Sequence, residues 1–149
     1  MPEKRTVERA RRDRRQGKAA TTQAGEFVRE EMHHIRQGKH GARSPKQAIA
    51  IGLSKARRAG VNLPPPRKGQ ASEKTRRSAA SAYRKGQRGE PVSHRRSEAR
   101  SKALRREGRG AASRSALSRQ ARSAARRRSS SSRSAAARKA ARTRSQKRR

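Results

Sequence analysis

Positive charge constrains this chain more strongly than any other feature of its sequence. Its 149 residues include 45 Lys or Arg against 10 Asp or Glu, a formal net charge of +35. Only 12 residues are Leu, Ile, Val or Phe, far below the roughly 20% under which highly charged sequences tend to be disordered. We therefore expect most of the chain to be unfolded on its own and to need a polyanion as partner.

Large apolar residues and positive charge are concentrated at opposite ends of the chain. Nine of the twelve apolar residues precede Pro66, and residues 1–66 carry 16 basic and 6 acidic side chains, a balance of +10. Residues 67–149 carry 29 basic and 4 acidic side chains, a balance of +25. The distribution predicts that any core lies before Pro66 and that a long basic tail follows it.

Two amphipathic helices are predicted in the first part of the chain. The first spans residues 23–37 and follows Thr21 and Thr22, which can cap it. One side of this helix is apolar because apolar residues recur at steps of three and four. These residues are Ala24, Val28, Met32 and Ile35.

The second predicted helix has a clear start and a clear end. Ser44 can cap it, Pro45 suits its first position, and Gln47 completes a Ser-x-x-Gln capping box. It runs to Ala59, and Gly60 ends it. Its apolar stripe is expected to pack against the first helix. The stripe consists of Ile49, Leu53 and Ala56.

A recurring basic phrase that contains glycine suggests further helix ends. Glycine takes up the left-handed conformation that closes a helix, and basic side chains in the last turn favour the negative end of the helix dipole. The spacing of these glycines suggests a weak repeat of a helix followed by a turn. They are Gly17, Gly38, Gly60, Gly86 and Gly108.

These patterns predict an all-α protein made of a small helical hairpin, with a third helix as an alternative, followed by a largely disordered basic tail with transient helices. From Arg109 onward the chain contains 15 Lys or Arg, 11 Ala and 10 Ser. We divide the chain into a basic arm or short helix (1–20), the hairpin (21–63), a Pro-rich linker (64–70), a partly helical basic segment (71–109) and the disordered tail (110–149).

Several functional classes are disfavoured by composition. The chain has no cysteine, so disulfides and thiolate metal sites are excluded. One cluster could bind a metal, because Glu30 and His34 within it share a helix face. Its spacing matches no zinc template, so we predict neither a metal site nor another cofactor. The cluster consists of Glu30, Glu31, His33, His34 and His40. No nucleophile motif is present, so we predict no enzyme activity. No apolar run is long enough to span a membrane, which favours a cytoplasmic location.

Nucleic acid explains the charge most directly, since each Lys or Arg that meets a phosphate releases counterions. Phe27 and Tyr83 are the only aromatic residues, so a stacking platform for single-stranded bases is absent and duplex DNA is the favoured partner. An RNA-binding or ribosome-associated protein is the first alternative. A sequence-specific helix-turn-helix regulator, reading bases near Lys46 and Gln47, is the second.

The residues predicted to contact nucleic acid fall into two groups. On or beside the hairpin they are Lys39, Lys46, Gln47, Lys55, Arg57 and Arg58, and in the tail they are Arg126, Arg127, Arg128, Arg138, Lys139 and Arg142. A hairpin of this size buries little surface, so homodimerisation through it is a further expectation.

Residues 22–66, from TQAGEFVREE to NLPPP, and less closely EKTRRSAASAYRKGQRG, resemble a family of small basic bacterial proteins of unassigned function commonly labelled DNA-binding. The tail resembles the alanine-rich arms of linker-histone-like bacterial proteins, although those arms are rich in lysine and this one in arginine. The resemblance implies a nucleoid-associated protein of the bacterial cytoplasm, and it transfers no catalytic or base-reading residue.

Overall fold

The computed structural model describes residues 1–147, and its regular secondary structure over that range is helical. Seven α-helices and one 3₁₀ turn follow one another along the described chain. They are α1 (Lys4–Arg15), α2 (Ala20–Arg36), α3 (Pro45–Arg58), α4 (Glu73–Gln87), α5 (His94–Arg105), the 3₁₀ turn (Gly110–Ala112), α6 (Arg114–Arg126) and α7 (Ser130–Lys147).

The chain divides into two compact units, of which the first is Met1–Ser113 and the second begins at Arg114. The predicted disordered tail is therefore wrong for the described residues, because α6 and α7 occupy most of it. Alanine and arginine are both strong helix formers, and the hydrogen bonds of a helix are local. A low content of large apolar residues did not prevent helix formation, so the expectation of a mostly unfolded chain is also wrong.

The predicted hairpin is the centre of a larger helical arrangement. Helices α2 and α3 pack against each other, α1 packs on α2, and α4 packs on α3. The prediction of an isolated hairpin is therefore wrong, and the reason for invoking a dimer to support it is removed. No helix among residues 1–147 combines the length and the apolar character needed to cross a membrane.

Small residues form much of the core of the first unit. Phe27 and Ile35 are fully buried, and Phe27 packs in one cluster with Ala24 and Ala56. Alanines that follow Pro66 complete this interior, so the core extends beyond the range that the large apolar residues predicted. They are Ala79, Ala82, Ala111 and Ala112.

The face that α3 buries is rotated from the predicted stripe. Ala48, Gly52 and Ala56 are buried, whereas Ile49 and Leu53 are only half-buried. A Cβ atom on Gly52 would lie 2.7 Å from the Cα of Val28, so the backbones of α2 and α3 approach closely at this point. The packing of α2 on α3 therefore depends on the lack of a side chain at Gly52 and not on a large apolar residue.

The predicted cap of α3 is confirmed, and that of α2 is not. Ser44 Oγ accepts a hydrogen bond from the Gln47 backbone N–H at 3.2 Å, and Gln47 Oε1 accepts one from the Arg43 backbone N–H at 2.6 Å. Helix α2 begins at Ala20, earlier than predicted, and its N-cap Ala19 provides no side-chain hydrogen bond.

Three of the five predicted glycine stops are confirmed by positive φ angles. They are Gly17 at 67°, Gly38 at 74° and Gly60 at 85°. Gly86 instead lies inside α4, where a Cβ would lie 1.8 Å from the Arg57 carbonyl oxygen, so it serves the packing of α4 on α3. Gly108 has no positive φ, and Gly89 at 65° follows the end of α4 instead.

The segment after α4 is joined by hydrogen bonds to the end of α2 and to the loop between α2 and α3. The Gly41 N–H donates to the Leu104 carbonyl at 2.9 Å, and the Ala42 N–H donates to the Gly108 carbonyl at 3.0 Å. Arg36 Nε donates to the Ala112 carbonyl at 3.0 Å. The folded unit therefore continues through the 3₁₀ turn, well past the Pro-rich linker.

Candidate nucleic-acid interface

The acidic side chains of the first unit lie almost entirely in internal ion pairs. Glu26 pairs with Arg9 at 2.6 Å, and Asp13 pairs with Lys18 at the same distance. Glu73, Glu90, Glu98 and Glu107 also pair with nearby cations. These pairs decide which basic side chains of the first unit are already occupied.

Lys55 is one of the occupied cations. Its Nζ contacts Glu31 Oε1 and lies 3.7 Å from Glu30 Oε1, and both carboxylates are buried. The Lys55 side chain is 23% exposed. The ammonium group supplies one positive charge beside two buried carboxylates. Its role in this structure is to support the α2–α3 packing.

Arg57 is buried and binds backbone carbonyls of the linker. Its Nε donates to the Leu63 carbonyl at 3.0 Å, and its Nη2 donates to the Pro64 carbonyl at 3.2 Å. Burial lowers the pKa of the Arg57 guanidinium from its ordinary value, because desolvation disfavours the charged form. Arg57 fixes the exit of the chain after α3.

Arg58 is also engaged within the protein. Its Nη2 donates to the carbonyls of Glu90 and Pro91, both at 3.0 Å. These bonds connect the end of α3 to the segment before α5. Arg57 and Arg58 were predicted as phosphate ligands because they were placed on the outer face of the hairpin, and the sequence does not reveal which guanidinium binds a backbone carbonyl.

The remaining predicted residues of the hairpin differ in their surroundings. Lys46 is exposed near the start of α3. The side chain of Gln47 accepts the hydrogen bond from Arg43 that belongs to the helix cap. Lys39 is exposed, and its Nζ lies 3.2 Å from Glu3 Oε1. Lys46 is the predicted residue of this group that most fully presents its charge to solvent.

The basic residues between Arg114 and Arg144 are exposed. Arg126, Arg127 and Arg128 lie at and after the end of α6, and all three are exposed. An open depression of about 470 Å³ lies among basic side chains of this helix. Its lining consists of Arg119, Arg122, Ser123, Arg126 and Arg127.

Arg119 and Arg122 were not among the residues predicted to contact nucleic acid. They share one face of α6 with Arg126, because residues at steps of three, four and seven lie on the same side of a helix. That spacing was available in the sequence. The tail was expected to be largely disordered with only transient helices, so no fixed helix face was predicted there.

Helix α7 presents a second exposed basic face. Every residue from 130 to 146 is exposed. Arg138 and Arg142 are separated by one helical turn and lie on one face, with Lys139 next to them. The sequence contains no Asp or Glu after Glu107, so no acidic side chain of the second unit competes for these cations. We call the exposed Lys and Arg residues between Arg114 and Arg144 the C-terminal basic surface.

Three titratable side chains lie close together in the first unit, two of them buried and His40 half-buried. Glu31, His34 and His40 each place one potential ligand atom within 4.8 Å of the other two. His34 Nε2 lies 2.8 Å from Glu3 Oε1. The hydrogen bond with His34, followed by that with Lys39, lowers the pKa of Glu3 to about 2. The sequence grouped these histidines with Glu30 and Glu31 as a candidate metal cluster, which was discounted because its spacing matches no zinc template.

The second surface depression, of about 480 Å³, lies beside α4 in the first unit. Arg14, Gln23, Asn62, Tyr83 and Gln87 contribute to its lining, with Ala20 and Gly60. Tyr83 Oη donates to Asn62 Oδ1 at 2.6 Å. Its lining contains no histidine and no carboxylate, so it lacks the groups that usually perform general acid–base chemistry.

The sequence model of a family of unknown function, DUF6496, matches residues 3–68. This range covers α1 to α3 and the Pro-rich linker, which is less than half of the chain. No curated protein and no solved structure matches the chain. The similarity therefore concerns the first three helices, and its description assigns no activity to them.

Proposed function

We propose that the protein binds duplex DNA with little sequence preference, through contacts between the C-terminal basic surface and the phosphate backbone. One observation carries the proposal: every described side chain of α7 up to residue 146 is exposed, and no acid follows Glu107. These cations are therefore available to an external polyanion. Phosphate contacts position a protein on DNA without specifying sequence.

The first unit supports this interpretation because few polar side chains of α3 remain free to bind base edges. Gln47, which was considered as a base-reading residue, uses its side-chain oxygen in the helix cap. Arg57 and Arg58 bind backbone carbonyls. A recognition helix needs several polar side chains that reach the major groove, and α3 leaves chiefly Lys46 for that purpose. We propose that the protein is not an enzyme and acts as an architectural protein of the bacterial nucleoid.

The proposal is tested by binding of the full chain to duplex DNA, duplex RNA and single strands of matched length at one fixed salt concentration. We expect duplex DNA of unrelated sequences to bind with similar affinity and to compete with one another. Stronger binding to duplex RNA would assign the protein to the RNA-binding alternative. One enriched DNA sequence in a selection experiment would assign it to the sequence-specific alternative.

Location of the surface is tested by two variants that lose equal charge. The first combines Arg126→Gln, Arg127→Gln and Arg128→Gln in the C-terminal basic surface. The second changes exposed arginines that already lie near a carboxylate, and these are Arg29, Arg43 and Arg88. We expect the first variant to reduce the slope of log affinity against log salt by up to about 2.7, at roughly 0.9 per phosphate, and the second to reduce it less. Equal losses would show that net charge, rather than this surface, determines binding.

A further inference from the structure

One oxygen atom of the Glu31 carboxylate is buried without a hydrogen-bond donor. The Glu31 side chain is 0% exposed, and its Oε1 contacts Lys55. Its Oε2 is buried and has no hydrogen-bond partner. A buried carboxylate oxygen without a donor is costly unless a cation stands near it. The atom faces His40, whose Nε2 lies 3.4 Å away.

The hydrogen bond on the other side of the His40 ring determines what Nε2 can do. His40 Nδ1 lies 3.1 Å from the Gly41 carbonyl oxygen, which can only accept, so Nδ1 carries the proton. In the neutral ring, Nε2 then has a lone pair directed toward Glu31 Oε2. Two electron-rich atoms that face each other repel unless a proton or a metal ion lies between them. A histidine whose second nitrogen donates to a carbonyl is the usual arrangement of a metal ligand.

His34 brings a third ligand to the same place. It is 8% exposed, its ring lies at 84° to that of His40 with centroids 6.0 Å apart, and one of its ring nitrogens falls within the 4.8 Å group. Its Nε2 also contacts the Glu3 carboxylate, a carboxylate–histidine pair of the kind that orients metal ligands. A proton can bridge two of these atoms but not three.

We propose that Glu31, His34 and His40 bind one divalent transition-metal ion of the zinc class. Imidazole nitrogen and carboxylate oxygen are common zinc ligands, at about 2.0–2.2 Å from the metal. Ligands at that distance with tetrahedral geometry lie about 3.3–3.5 Å apart, close to the 3.4 Å between His40 Nε2 and Glu31 Oε2. One ring nitrogen of His34 lies within 4.8 Å of both ligand atoms, and the bound ion would draw it closer.

Two neighbouring lysines partly balance the negative charge of the carboxylates. Neither lysine contacts the oxygen atom that the proposed metal would bind. Lys55 contacts Glu31 through Oε1, the oxygen that the proposed metal does not use. Lys39 contacts Glu3, which lies behind His34. The bound ion would connect α2 to the loop between α2 and α3. Because such an ion binds the folded state, it would also raise the thermal stability of the first unit.

The test is a titration of the full chain with Zn²⁺ alone, followed by calorimetry, and with Co²⁺, followed by visible absorption. We expect one ion per chain and a higher unfolding temperature with Zn²⁺. His40→Gln should weaken Zn²⁺ binding on the order of 100-fold or more, since loss of a supporting partner alone costs roughly 10–100-fold. The matched control is His33→Gln, because His33 is exposed on the same helix as His34, and this variant should bind like the unchanged protein.

A second measurement avoids any dependence on the folding of a variant. In the unchanged protein, the ring signals of His34 and His40 in NMR spectra should shift with the first equivalent of Zn²⁺, whereas those of His33 and His94 should not. Absence of saturable binding would overturn the proposal and leave a proton on His40 as the positive species. Equal shifts of all four histidines, or a folded His40→Gln variant that binds like the unchanged protein, would also overturn it.

Discussion

At the scale of single residues, the packing of helices in the first unit depends on glycine at particular positions. Gly52 and Gly25 are both helical glycines, but only Gly52 lies against a neighbouring backbone. A Cβ at Gly52 would lie 2.7 Å from Val28 Cα, whereas a Cβ at Gly25 meets nothing within 4 Å. The sequence shows two glycines in helices and gives no sign of this difference, because it arises from tertiary packing.

This contrast predicts opposite effects of the same substitution. Gly52→Ala should lower the free energy of unfolding by about 1–3 kcal/mol, since overpacking forces the helices apart. Gly25→Ala should raise it by up to about 1 kcal/mol, because alanine favours the helix. Denaturant unfolding followed by circular dichroism measures both. Equal effects of the two substitutions would show that α2 and α3 do not approach as described.

Lys55 and Lys46 lie on the same helix and are expected to act differently. Lys55→Met leaves Glu30 and Glu31 without their cation, and breaking such a buried pair costs on the order of 3–5 kcal/mol. Lys46→Met removes an exposed charge and should change the free energy of unfolding by less than about 0.5 kcal/mol. Chemical unfolding of the two variants tests this. A Lys55→Met variant as stable as Lys46→Met would contradict the buried ion pair.

At the scale of helices, local signals were predictable and contacts between helices were not. The Ser44 side-chain cap and the glycine end at Gly60 follow from short-range hydrogen bonds, and both are present. The Gln47 side chain binds the Arg43 N–H rather than the Ser44 N–H of a capping box. Gly86 resembles the other glycine stops in sequence, yet its contact with Arg57 comes from the preceding helix, α3. The candidate metal ligands were grouped from the sequence but discounted on their spacing, since His40 reaches Glu31 only after the chain turns between α2 and α3.

A substitution in α7 tests whether its helical conformation is needed for DNA binding. Ala136→Pro should remove much of the α7 signal in circular dichroism, because proline costs roughly 3 kcal/mol in a helix interior. It leaves every charge in place, so the salt dependence of DNA binding should be unchanged. Ala136→Ser is the matched control and should retain the helix. A marked fall in salt dependence with the proline variant would show that helical presentation of the arginines is required.

At the scale of the whole molecule, the class of fold was predictable but its extent was not. Helix was indicated by periodicity, and the all-α prediction is confirmed. The count of large apolar residues placed the core before Pro66, whereas Ala79, Ala82 and Ala111 are buried as well. Alanine is common in the exposed second unit too, so composition could not separate core alanines from those of an exposed helix.

The boundary between the two units, after Ser113, allows the contribution of each unit to DNA binding to be measured separately. Residues 110–112 are part of the first unit, and Ala112 is fully buried there. A truncation after Ser113 therefore keeps the first unit intact, while one after Arg109 would remove part of its interior. The segment after Ser113 contains 14 Lys or Arg and no acid.

The most direct test is a salt titration of duplex DNA binding by the full chain and by Met1–Ser113 on the same duplex. If about half of these basic side chains touch phosphate, the truncation should reduce the slope of log affinity against log salt by about six, at roughly 0.9 per phosphate. Affinity near physiological salt should fall by orders of magnitude, with preference among sequences unchanged. A truncated protein that kept both slope and affinity would contradict the account and place the DNA-binding surface on the first unit.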